Sequence, residues 1–199
     1  MSHWRKQQRH DKFFRKAKAD GYRARSAYKL LQLQERFHLI RRGDVVLDLG
    51  AAPGSWSQVA AELVGPQGGV IALDLQEIAP LPGVVTLQGD MTDLEVQDRV
   101  IEAVGGQADV VLSDAAPSTT GIKLRDHVLS MELVRAALAV AEQILRPGGN
   151  FVAKAFPGED FAGVVHDVKM AFRHVKVAKP DASRKESWER FVVARNRKP

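Results

Sequence analysis

Short apolar runs and longer amphipathic stretches take turns along this chain from residue 45 onward. The runs VVLDL (45–49), GVIALDL (69–75), VVTLQ (84–88), DVVLS (109–113), NFVAKAF (150–156), HVKVAK (174–179) and RFVVAR (190–195) are short and rich in β-branched residues. They predict strands. Between them, residues 55–64, 93–104, about 126–145 and 159–171 place apolar side chains at helical spacing. The third of these is expected to stop at Arg146-Pro147-Gly148-Gly149. Upstream, Ser26 stands where an N-cap belongs for a helix running through AYKLLQLQERF to about Phe37. Ala27, Leu30, Leu31 and Phe37 form its apolar face, and Arg42-Gly43-Asp44 breaks the pattern. Nearly continuous apolar strands that alternate with helices predict a parallel sheet covered on both faces and doubly wound by right-handed crossovers. Only residues 180–189 join the last two runs, which is too short for a crossover helix. The expected fold is therefore α/β and Rossmann-like, with a seven-stranded, mostly parallel sheet, an antiparallel edge strand and helices on both faces.

Charge adds an arm to this picture. The chain of 199 residues carries +5, yet residues 1–29 alone hold ten Lys and Arg against Asp11 and Asp20. The rest is net acidic. Residues 1–25 are expected to form a basic N-terminal arm ahead of a single domain over 26–199. Trp4, Phe13, Phe14 and Tyr22 interleave with the arm's cations, a composition suited to phosphate contact and base stacking. The plainer reading is a solvated basic helix or tail. Absent cysteines exclude disulfides, thiolate zinc sites and cysteine nucleophiles. The six histidines are scattered without metal-ligand spacing, so no metal is expected. The N-terminus lacks the apolar stretch of a secretory signal, and no apolar run approaches the roughly 18 residues of a membrane span. A soluble cytoplasmic protein is expected, and a monomer, since no apolar segment is left over.

In such a sheet, ligands bind beyond the carboxyl ends of the strands. The first strand runs into Asp48-Leu49-Gly50-Ala51-Ala52-Pro53-Gly54, where glycines permit a sharp turn and close approach. Asp74 ends the second strand and is placed to hold ribose hydroxyls. Asp90 follows the third strand and suits an adenine amino group, and Asp114 follows the fourth. A nicotinamide dinucleotide site requires G-x-G-x-x-G around a pyrophosphate. Here the loop reads G-A-A-P-G, and Pro53 removes a donor amide. The loop suits a ligand without phosphates, such as S-adenosylmethionine.

The motifs D-L-G-A-A-P-G-S-W-S-Q (48–58), R-A-R-S-A-Y-K-L (23–30), L-Q-G-D-M (87–91), S-D-A-A-P (113–117), V-A-K-A-F (152–156) and K-P-D-A-S-R-K-E-S-W-E-R-F-V-V (179–193) span essentially the whole chain. In order and spacing the chain resembles the FtsJ/RrmJ family of ribose 2′-O-methyltransferases, nearest in length to its bacterial large-subunit branch. The resemblance implies the S-adenosylmethionine-dependent methyltransferase fold and a Lys-Asp-Lys-Glu catalytic tetrad. That tetrad falls on Lys29, Asp114, Lys154 and Glu189. Ser187-Trp188-Glu189 matches the family's S-x-E ahead of the last strand, which favours Glu189 over Glu186. Cofactor contacts carry over to Gly54, Trp56, Asp74, Asp90 and Asp114. The implied reaction uses S-adenosylmethionine, no metal, and a uridine ribose of 23S rRNA in the large ribosomal subunit. Ala116 and Ser118 depart from the family's usual residues around Pro117 and touch the expected floor of the substrate pocket.

The residue types suit in-line methyl transfer. A 2′-hydroxyl attacks only once its proton is drawn away, and an ordinary lysine of pKa about 10.4 is almost wholly protonated at neutral pH. Nearby cations, Lys29 and a sulfonium, favour neutral Lys154, while Asp114 and Glu189 oppose this and orient the lysine heads. Lys154 is expected to be the base, with Lys29 and Glu189 positioning the ribose. Each residue also has a plain structural reading. Lys29 can snorkel from its helix, Glu189 can pair with Arg190 or Arg184, and Trp56 can serve packing alone. Lys154 fits such a reading least, since it interrupts an apolar strand. The competing functions are a tRNA ribose methyltransferase of the same family, a non-catalytic ribosome-assembly factor and a nicotinamide oxidoreductase.

Overall fold

The computed structural model describes residues 11–117 and 121–199. Trp4 and Ser118 therefore lie outside the described residues. The chain runs α1 (Lys12–Ala19), α2 (Ala27–Phe37), β1 (Val45–Leu49), α3 (Ser55–Val64), β2 (Gly69–Asp74), β3 (Val84–Gln88), α4 (Leu94–Val104), β4 (Ala108–Ser113), α5 (Lys123–Ile144), β5 (Leu145–Ala155), α6 (Phe161–Ala171), β6 (Phe172–Ala178) and β7 (Arg190–Arg197). One sheet holds all seven strands in the order β3-β2-β1-β4-β5-β7-β6. Its core pairs β2–β3, β1–β2, β1–β4 and β4–β5 are parallel. The antiparallel pair lies at the far edge, with β7 inserted between β5 and the outermost β6.

Alternation along each strand sorts the core into two layers. Leu47, Leu73, Val111 and Phe151 pack under α4, α5 and α6, against Val100, Val134 and Val168. Val46, Val70, Val110 and Val152 turn the other way, onto Leu30 and Leu33 of α2 and Val59 and Ala60 of α3. Fully burying one such side chain stabilises the fold by about 1.5–3 kcal/mol.

Local details differ from expectation in three places. Ser26 makes no side-chain cap on α2; its hydroxyl is 2.7 Å from that of Ser55 instead, tying α2 to α3. The Arg146–Gly149 stretch does not end α5 as a free turn. β5 starts at Leu145 opposite Ala108, and the register shifts before pairing resumes at Asn150. Part of the basic arm is helical: the Asp11 carboxylate accepts from the Phe13 and Phe14 amides and caps α1. Ala17 is buried in a cluster with Tyr28 and Ala182, and Asp11 pairs with Arg25. Phe13 and Tyr22 pack against the Tyr28 ring and so are occupied within the chain, while Phe14 stays at the surface. Lys12, Arg15, Lys16 and Lys18 are exposed, with the ammonium groups of Lys12 and Lys16 over the Phe13 and Tyr28 rings at 4.9 and 4.8 Å.

Candidate active site

Parallel register brings every strand end named above to one rim. Leu49 lies beside Leu73 and Ser113, and Ser113 beside Ala153. The residues that follow, the 50–54 loop, Asp74, Asp114 and Lys154, therefore share that rim. Gly50 has φ +70°, and a Cβ there would stand 2.6 Å from Ala115 Cα, so glycine lets the β1 and β4 loops touch. Gly54, at φ +102°, opens α3. The loop is clamped from two sides. Asp74 accepts from the Ala52 amide at 2.9 Å and from the Gln76 amide at 2.8 Å. The Arg23 guanidinium donates to the carbonyls of Pro53, Ala79 and Pro80, each at 2.8 Å. Asp90 is exposed, and its carboxylate accepts from the Thr92 amide and hydroxyl, which hold it below the usual carboxylate range.

Two ammonium–carboxylate pairs stand at this rim. Lys29 Nζ lies 2.7 Å from Glu189 Oε1, both side chains largely buried. Burial raises the Glu189 pKa, but the Lys29 charge and hydrogen bond outweigh it and leave the carboxyl below its ordinary value. Lys29 also lies 5.7 Å from the centroid of Phe191, which packs on Trp56, so the α2 pair rests on an aromatic floor. Lys154 is 8% exposed. Its Nζ donates to the Asp114 main-chain carbonyl at 2.6 Å and lies 3.2 Å from Asp114 Oδ1. The carboxylate contact is an ion pair by proximity; the directed hydrogen bond goes to the carbonyl. Lys154 faces Phe191 across the β5–β7 ladder, and Glu189 directly precedes β7. The antiparallel insertion of β7 is thus what carries Glu189 to the rim.

The structure gathers Lys29, Asp114, Lys154 and Glu189 into these pairs, while Glu186 is exposed. Glu189 pairs with Lys29, not with Arg190 or Arg184 as the plainer reading has it. The Trp56 ring is 2% exposed; it donates Nε1–H to the Ser26 carbonyl and packs on Phe191. What Trp56 retains for a ligand is its amide in the first turn of α3. Two residues escaped the sequence reading. Asp48 is fully buried in β1, with Oδ2 2.6 Å from the Ser57 hydroxyl and Oδ1 accepting no hydrogen bond. Burial pushes its carboxyl up to about 7, and the charges of Asp114 and Asp74 add to this. Its signal was the one that marked Lys154, a charge inside an apolar run. The Arg23 clamp had no signal, because its three acceptors are backbone atoms from two distant loops.

A sequence-family profile described as FtsJ-like methyltransferase matches residues 22–197. The chain belongs to the FtsJ-like methyltransferase family. Curated members named ribosomal RNA large subunit methyltransferase E are similar over most of their length. The protein of Methanothrix thermoacetophila is 54% identical over 93% of this chain and 72% of its own. That of Methanobrevibacter smithii is 46% identical over 100% and 95%. This FtsJ-like methyltransferase is also similar to a crystal structure from Plasmodium falciparum described as a ribosomal RNA methyltransferase. That similarity has a TM-score of 0.80 and 29% identity, and covers 88% of this chain and 98% of the other. Aeropyrum pernix fibrillarin with bound S-adenosyl-L-methionine shares the fold, at TM-score 0.58 and 18% identity over 85% and 76% of the two chains. Among the described residues, no helix is long and apolar enough to cross a membrane.

Proposed function

We propose that this methyltransferase transfers a methyl group from S-adenosylmethionine to the ribose 2′-hydroxyl of a uridine in 23S rRNA of the large ribosomal subunit, with Lys154 as the proton acceptor. The observation that carries the reading is the pairing of Lys154 with Asp114 and of Lys29 with Glu189 at one rim beside the Gly50–Gly54 loop. The names of the relatives support the rRNA acceptor.

The rim fits a cationic donor. Asp74 and Asp114 bring carboxylates to it, Asp114 Oδ1 and the buried Asp48 Oδ1 behind it accept no hydrogen bond, and Pro53 offers no amide. A diphosphate would meet repulsion there; an amine, a sulfonium and ribose hydroxyls find acceptors. Asp74 would hold the ribose hydroxyls, Asp90 the adenine amino group, and the α3 amides and Asp114 the remainder. When bound, S-adenosylmethionine supplies an electrophilic methyl on sulfur.

Neutral Lys154 Nζ accepts the 2′-hydroxyl proton, and the Asp114 carboxylate stabilises the ammonium so formed. Lys29 and Glu189 position the ribose. The arm over residues 1–25, through the exposed cations of α1, and the Lys/Arg-rich C-terminal segment hold RNA phosphates. The protein works as a cytoplasmic monomer without a metal.

The test is methyl transfer from labelled donor to large subunits from cells lacking the enzyme, to protein-free 23S rRNA, and to bulk tRNA, with Lys154→Ala in parallel. Alkali-resistant label in subunit RNA, lost in the variant, is the expected result. Label in tRNA overturns the acceptor. No label anywhere, with donor still bound, overturns catalysis in favour of an assembly role.

A further inference from the structure

Beside the two pairs stands an aromatic stack that the reaction chemistry does not use. The rings of Phe156 and Trp188 are 5.1 Å apart at 15°. Phe156 follows Lys154 by two residues, and Trp188 directly precedes Glu189. Phe156 is held rigidly: its carbonyl is 2.7 Å from His127 Nδ1, and its amide donates to the Ser130 hydroxyl at 2.9 Å. It is 7% exposed, so the open part of the stack belongs to half-buried Trp188. The loop bearing Trp188 is pinned in turn, Lys179 Nζ donating to the Ser187 carbonyl at 2.6 Å. Packing alone would be served as well by an aliphatic side chain on this polar loop.

We infer that Trp188, backed by Phe156, is a stacking platform for the unpaired base of the nucleotide whose ribose is methylated. This rests on the 2′-O-methyl reading above. In a nucleotide the base hangs from C1′, next to the carbon bearing the reacting hydroxyl. A ribose presented to Lys154 therefore brings its own base within reach of the neighbouring rings. A base in a duplex has both faces covered, so the platform selects a nucleotide in a loop or bulge, or one flipped out. Exposed Arg184 and Lys185 on the same loop supply cations for the flanking phosphates. Stacking reads a π-face and not a hydrogen-bond pattern, so the platform contributes affinity and leaves base identity to other contacts.

The experiment compares native enzyme, Trp188→Ala and Trp188→Phe on large subunits from cells lacking the enzyme. It measures kcat, KM for subunits, donor affinity by calorimetry, and the unfolding midpoint. Loss of one stacked base weakens binding roughly 5- to 150-fold. The expected result is a KM for subunits raised by about tenfold or more in Trp188→Ala and largely restored in Trp188→Phe, with donor affinity unchanged. An unchanged KM in Trp188→Ala overturns the platform. So does loss of donor affinity and unfolding midpoint in step with activity, the mark of a packing role. Failure of the native enzyme to methylate subunits would instead count against the function it rests on.

Discussion

Replacing Asp48 by Asn is expected to make the ligand-free protein more stable, and increasingly so as pH rises. The carboxyl is fully buried, one oxygen has no partner, and burial moves its pKa from an ordinary 3.8 to about 7. Between those values the unfolded chain has lost the proton while the folded chain keeps it. The folded state binds more protons there, so native stability falls as pH rises through this window and levels off above about 7. At about 1.4 kcal/mol per pH unit, the stretch from pH 5 to 7 costs the native protein close to 3 kcal/mol, with no solvent screening to reduce it. Asn cannot ionise and escapes that cost while still accepting from the Ser57 hydroxyl. The two proteins should be unfolded in urea at pH 5, 6, 7 and 8 without donor. The other titrating groups cancel in the difference between them. That difference should move in favour of Asp48→Asn by about 3 kcal/mol across the range, or roughly 6–12 °C in Tm for a domain of this size. A difference constant with pH would refute the buried, unionised Asp48.

Three further outcomes follow from the same geometry. In a double-mutant cycle of Lys29→Met and Glu189→Gln, urea unfolding should give a coupling of about 1–3 kcal/mol, because the pair is 2.7 Å apart and largely buried. Gly50→Ala combines a left-handed φ with a Cβ 2.6 Å from Ala115 Cα; denaturant unfolding should show a loss of about 2–4 kcal/mol. Arg23→Ala removes three bonds to loop carbonyls, and titration with S-adenosylmethionine should show affinity weakened about tenfold, with kcat at saturating donor little changed.

Much of the architecture was legible in the chain because it rests on local rules. Strands β1 and β3 and helix α3 fall on the expected residues, since apolar period and flanking glycines are short-range signals. Lys154 and Asp48 both stand out as charges within apolar runs, though only the first was picked out from the sequence. Ser26 shows where local reading fails. A serine before a helix looks like a cap. Its hydroxyl instead meets that of Ser55 at the α2–α3 junction, which exists only once the helices pack. Two aromatic residues of the arm follow suit, Phe13 and Tyr22 being drawn into the Tyr28 cluster by burial that no local pattern displays.

By itself the sequence determined the order of elements and the parallel sheet, because periodicity is a property of the chain; the four rim residues were implied by the resemblance of its motifs to a known family. Tertiary structure alone decided which lysine meets which carboxylate. Lys29 and Glu189 lie 160 positions apart and are joined by the insertion of β7 beside β5, and Arg23 reaches carbonyls on two other loops. Such contacts depend on strand order and helix docking, which are set by the packing of the whole core and not by any segment of it.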